Sequence, residues 1–187
     1  GATVEREVAT RIGQGEYEVE QFYTAYTNKL YSTCLVKFGK FIPPNGGTAF
    51  GCGIRKIMYE TESQKKGGLV VSIAENMPLI DPNPETIDRK RATLAFAGTA
   101  LVVKDLYKPE YRPIKTFQGN HAFRVPATSD LAFEYLIAAS WSEGPVANTP
   151  AAFKEYMRVA ALEYNNPVAV EPPVLETRKD GYKPVDY

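Results

Sequence analysis

The sequence predicts a mainly β protein: an antiparallel β-sandwich or supersandwich with one helix in its C-terminal region. Three observations carry this. Polar and apolar residues alternate with a period near two through most of the chain, the spacing that lines one face of a strand. Clusters of Pro, Gly, Asn and Asp interrupt those runs at short intervals. Only the stretch from Thr149 to Pro167 has helical spacing together with start and stop signals. Many strands followed by one helix suit two packed sheets. Residues 1–170 read as one such domain, whole in itself or part of a larger split or processed one. Residues 171–187 hold three prolines and several charges, and read as a tail lying on the surface or on a partner.

The first strong run, "EYEVEQFYTAY", alternates across Tyr17, Val19, Gln21, Tyr23 and Ala25. "KLYSTCLVKF" puts Leu30, Ser32, Cys34 and Val36 on one side and Tyr31, Thr33 and Leu35 on the other. Both sides are moderately apolar, so this strand is expected between two layers. Pro43, Pro44, Asn45, Gly46 and Gly47 make a loop. Gly51 and Gly53 thin the next strand and suggest a bulge or a close backbone approach. "IRKIMYETE" and "GLVVSIAE" read as paired strands joined by a polar hairpin, Ser63 to Gly68. "NMPLIDPNPETIDRKR" lacks a period and reads as a long surface loop. "ATLAFAGTALVV" is strand-like, with Gly98 as a break, and "KDLYKPEYRPIK" is a second exposed loop. "HAFRV" and "LAFEYLIAAS" flank a turn at Pro126 to Asp130, although the second run fits helix as well as strand. In the helix, Thr149 caps and Pro150 fits the first turn. Phe153, Tyr156, Met157, Ala160 and Tyr164 share one face, and Asn165, Asn166 and Pro167 end it. Its expected job is to cover a sheet.

The totals exclude some classes. With 22 basic and 22 acidic residues the net charge is +0, which argues against a nucleic-acid surface. No apolar run is long enough to span a membrane. Twelve Tyr against one Trp fit half-buried sheets and also wet, saccharide-like binding surfaces. Cys34 and Cys52 have neither metal nor redox spacing; they form one disulfide or, the preferred reading, two buried thiols. The opening "GATVEREV" is strand-like, without an initiator Met or a signal-peptide pattern. It is expected to start a trimmed mature chain, an expressed portion or a fragment of a larger precursor.

Most catalytic motifs are missing. There is no dinucleotide fingerprint, phosphate loop or HExxH, and Ser140 and Ser142 sit in no nucleophile elbow. Asp81, Asn83, Glu85 and Asp88 could offer oxygens to calcium, but the loop lacks the EF-hand pattern and reads first as a solvated acidic loop. No other cofactor or metal is expected. The single histidine, His121, lies in "KTFQGNHAFRV". It could serve as a general acid or base, or be a structural residue. Arg124 could pair with a carboxylate. In a regular strand the two point to opposite faces, with His121 and Phe123 on one side and Asn120, Ala122 and Arg124 on the other.

From residue 48 onward the runs "TAFGCGIRKI", "GLVVSIAENMP", "LAFAGTALVV", "GNHAFRVP" and "FEYLIAASWSEGPVANTPAAFKEYMRVAALEYNNPVAV" appear in a telling order. This order resembles the bacterial DUF4861 family, whose members are often encoded near carbohydrate-degrading enzymes. The last run is the best match, through Phe133, Tyr135, Trp141, Ser142, Pro150, Phe153, Tyr156 and Pro167. The resemblance implies a β supersandwich like that of sugar mutarotases and the β domains of some polysaccharide lyases. Family members are longer, and residues 1–40 depart from them, so a second polypeptide chain or a second copy could complete a site.

The function implied is a carbohydrate-active protein, secreted or periplasmic, with a saccharide ligand. One form is a lyase cleaving a uronate-containing glycan by β-elimination. His121 or Tyr135 would then be the base, Arg124 and Asn120 would hold the carboxylate, and Trp141 would stack on a sugar ring. Glycoside hydrolysis needs paired carboxylates, and nothing in their spacing pairs Glu134 with Glu143. The other form is a noncatalytic sugar-binding module or an accessory subunit of a larger enzyme.

Overall fold

Alternating side chains along the strands build two antiparallel sheets that face each other, with a helix behind the larger one. The structure is a computed structural model and describes residues 2–7, 16–42, 49–78, 93–115, 119–127 and 129–168. Seven strands form the large sheet: β1 (Ala2–Glu7), β2 (Glu16–Ala25), β3 (Tyr31–Ile42), β5 (Glu62–Lys66), β6 (Leu69–Pro78), β7 (Thr93–Val103) and β10 (Ala132–Trp141). Their spatial order is β1-β2-β3-β10-β7-β6-β5. The small sheet has β4 (Ala49–Arg55), β9 (Asn120–Pro126) and β8 (Glu110–Tyr111), in the order β4-β9-β8. Helix α1 spans Pro150–Asn165.

The period of two sorts the large sheet into two cores. Val70, Leu101, Val103, Cys34, Val36 and Phe133 face the small sheet and meet its Phe50, Cys52, Phe123 and Val125. Leu69, Val71, Ile73, Ala100, Val102 and Leu136 point the other way and meet Phe153 and Met157 of α1. The strands β6, β7, β10 and β3 therefore have apolar side chains on both faces. This two-sided burial was expected for "KLYSTCLVKF" and settles "LAFEYLIAAS" as the strand β10, opposite both β3 and β7. The helix begins as the sequence predicts. Thr149 is extended and its side chain accepts a hydrogen bond from the Ala152 N–H at 3.2 Å.

Three local expectations need correction. Residues 63–66 of the predicted hairpin are strand, and only the turn at Gly67 remains, at a φ of 57° that favours glycine. The signal was missing because β5 is an edge strand exposed along its whole length. Its charges suit an edge, where they discourage pairing with another chain. The "KDLYKPEYRPIK" loop contains a short 3₁₀ turn, Asp105–Tyr107, and strand β8. Gly98 breaks nothing: β7 runs through it, and a Cβ there would lie 2.7 Å from the Phe153 ring. At Gly53 the expected close approach is present, since a Cβ would lie 2.7 Å from the His121 carbonyl oxygen; Gly51 faces open space.

Cys34 and Cys52 are buried free thiols on strands of opposite sheets. Burial pushes the Cys52 thiol up to about 12, far from a reactive thiolate. No helix among the described residues is long and apolar enough to cross a membrane. The candidate calcium loop, Asp81 to Asp88, and the tail, 171–187, lie outside the described residues.

Candidate functional site

Strand β9 carries His121, Phe123 and Val125 inward, as the alternation requires, so the histidine is 1% exposed. Both ring nitrogens are engaged. Nδ1 lies 2.6 Å from the Tyr111 hydroxyl, and Nε2 lies 2.6 Å from Glu60 Oε1. An ionised carboxylate only accepts hydrogen bonds, so Nε2 carries the proton shared with Glu60. In that tautomer Nδ1 accepts from the Tyr111 hydroxyl. Ser72 donates to the same Glu60 oxygen at 2.5 Å, and its own oxygen accepts the Ile57 N–H at 3.0 Å. Lys56 lies 3.5 Å from the other Glu60 oxygen, and the Lys65 ammonium sits 4.5 Å from the centre of the Tyr111 ring. The cluster thus ties β8, β9, β6 and the turn before β5 together.

Burial pushes the Glu60 carboxyl up. Hydrogen bonds from Ser72 and His121, with Lys56 nearby, more than reverse this and hold it below its ordinary 4.5. A depressed folded-state pKa contributes stability that is present above the unfolded value and lost as pH falls through the folded one. Glu60→Gln is therefore expected to flatten the loss of stability below pH 4.5, read from urea midpoints at stepped pH. An acid limb as steep as that of the wild type would remove Glu60 from this role.

A second feature lies beside this cluster. The three-stranded sheet covers only part of the seven-stranded one. Along the edge of β4 it leaves a groove of about 570 Å³. Ser32 of β3, Tyr135, Ile137 and Ala139 of β10, and Thr99 of β7 line its floor; Gly53, Ile54 and Arg55 line its wall. Small side chains at 32, 99 and 139 leave the depth. His121 is opposite Ile54, and Ser72 is opposite Thr99. The cluster is therefore one strand away from the groove on both sheets.

The five residues singled out from the sequence are not brought together. Arg124 is exposed on the outward face of β9, its Nη1 3.6 Å from a Glu110 oxygen, so it cannot act with the inward His121. Asn120 is on that outward face too, half-buried. Tyr135 lies in the groove, opposite Val103, whereas Thr99 beside the histidine cluster is four residues back along β7, about 13 Å at the strand rise. Burial first, then Cys34 and Tyr23, push the Tyr135 phenol far above its usual range, which keeps it protonated. That makes it a hydrogen-bond donor and a stacking ring, not a base. Trp141 is 47% exposed at the end of β10, two positions past Ala139 and on the same face. The sequence reading missed Tyr111, Glu60 and Arg55. Tyr111 is in a run read as a loop, and Arg55 and Glu60 are in "IRKIMYETE", read as one strand; in the structure β4 ends at Arg55 and the turn after it brings Glu60 to His121.

Among the described residues no group of His, Cys, Asp and Glu is placed to hold a metal. Comparison of the chain with protein-family models, curated proteins and solved structures returns no match.

Proposed function

We propose that the chain is a carbohydrate-active protein of the secreted or periplasmic space. It binds a saccharide in the groove beside β4, as a binding module or an accessory subunit of a larger assembly. The observation that carries this reading is the groove itself. Its volume is within the range of ligand sites, and its lining joins an aromatic ring and apolar floor with a few hydroxyls. Trp141 continues the same strand face with an open ring, suited to stacking on a sugar. The resemblance to the DUF4861 family read from the sequence points to the same substrate class, while no family model matches the chain.

A specific observation favours a second reading, β-elimination on a uronate glycan. The chain Tyr111–His121–Glu60 can move a proton. Burial raises the Tyr111 phenol above its usual range, so Tyr111 would act as base only by passing its proton to His121 Nδ1 as it takes the proton from C5 of the sugar. The C5–H electrons form the C4–C5 double bond, and the C4–O bond breaks. The leaving oxygen takes the Tyr111 proton, and His121 returns its own to Tyr111. Here His121 positions and relays, and Tyr111 touches the substrate.

One experiment tests both. The purified protein is titrated calorimetrically with acidic and neutral oligosaccharides while unsaturated uronate is followed by its ultraviolet absorption. The binding reading expects saturable heat without new absorption, with affinity falling about tenfold or more in Ile137→Trp, which fills the groove, and in Trp141→Ala. New absorption that disappears in Tyr111→Phe selects the lyase. No heat and no absorption with any saccharide would end both readings.

A further inference from the structure

We infer that the groove selects an anionic saccharide, a uronate whose carboxylate is held by Arg55. The inference rests on the groove being the ligand site. Among the described residues, Arg55 is the only charged one lining that groove. Three other arginines are committed: Arg112 and Arg124 to Glu110, Arg158 to Glu155. Arg55 has no ion pair or hydrogen bond among the described residues. Among the described residues no carboxylate lines the groove to oppose an incoming anion.

Position limits what acts with it. Arg55 ends β4, directly opposite Asn120 on β9. Directly opposite residues of a strand pair present their side chains on one face, and Asn120 is on the outward face of β9. The Arg55 side chain therefore starts from the outer rim of the groove, and Asn120 is not among the residues that line it. A planar guanidinium at that rim can donate two parallel hydrogen bonds to a carboxylate.

The floor supplies an independent sign of a polar ligand. Thr99 lines the groove, and its hydroxyl oxygen is buried without a hydrogen-bond partner. Buried polar groups in native proteins nearly always have one. A sugar hydroxyl or ring oxygen bound in the groove that Thr99 lines could satisfy it. The Ser32 hydroxyl lies on the same floor. A cation at the wall and hydroxyls on the floor match a sugar ring that carries one carboxylate at its edge.

The test compares three ligands of equal length on the folded protein: oligogalacturonate, its methyl ester and a sulfated neutral oligosaccharide. Affinities are measured by calorimetry for wild type and Arg55→Gln. Because Arg55 is exposed, the variant is expected to melt at the wild-type temperature. Wild type should bind the free acid about tenfold or more tighter than the ester, the margin of one charge-assisted pair. Arg55→Gln should bring acid and ester within about twofold of each other, through a loss of acid affinity. Equal wild-type affinity for acid and ester overturns the inference while leaving the groove as a saccharide site. Tighter binding of the sulfated ligand than of the acid overturns the assignment to a carboxylate. Binding of none of the three removes the groove reading itself.

Discussion

His121→Ala is expected to destabilise the protein by about 3–5 kcal/mol, read as a shift in the urea midpoint at neutral pH. The side chain is 1% exposed and fully packed, so truncation leaves a cavity beside Phe123 and Ile54. It also removes two hydrogen bonds of 2.6 Å. Glu60 keeps Ser72 and Lys56 but loses its buried donor, and the Tyr111 hydroxyl loses its acceptor. A carboxylate left short of a partner in a desolvated place accounts for much of the expected loss. A midpoint shift worth less than about 1 kcal/mol would show that the cluster is not a tie between the sheets. The same variant bears on function. If the groove only binds, saccharide affinity in the folded fraction should stay within about twofold of wild type, because His121 is one strand behind the wall.

Phe153→Ala should have an effect of similar size, about 3–5 kcal/mol, through a different mechanism. The ring is fully buried, 5.9 Å from that of Phe96, and lies on the bare backbone at Gly98. Nothing nearby can fill the space, because the strand beneath has no side chain at position 98. A helix of this length gains most of its stability from the apolar face it packs, here Phe153 with Met157, Ala160 and Ala161. Helical circular dichroism should therefore fade at lower urea than the β signal. Leu162→Ala, on the exposed side of the same helix at 58% exposure, should stay within about 0.5 kcal/mol of wild type. Equal losses at 153 and 162 would mean that the helix is not docked by this face.

The contrast between these two sites shows what could be read in the chain. Phe153 was legible because helix contacts repeat every three to four residues, so Thr149, Pro150 and the apolar spacing identify the element and its inner face together. The direction of His121 was legible for the same reason, since a strand alternates, and its separation from Arg124 followed. The partners of His121 were not legible. Glu60 sits 61 positions away in a polar turn, and Tyr111 lies on a strand of two residues. Strand β5 left no periodic signal because neither of its faces is covered. Arg55 read as one more charge in "IRKIMYETE", and only the short width of the sheet that contains it leaves it beside open floor.

By itself the sequence determined the β class, the inward and outward sets on the strands that alternate, the position of the helix, and the absence of the common nucleotide and metal motifs. These depend on contacts within a few residues, where backbone geometry sets the period. Tertiary structure decided which strands pair, that three strands cover only part of seven, and therefore which polar groups meet. Those outcomes depend on contacts between distant segments. Such contacts are set by how two sheets of unequal width close over one shared core, and no local spacing in the chain encodes them.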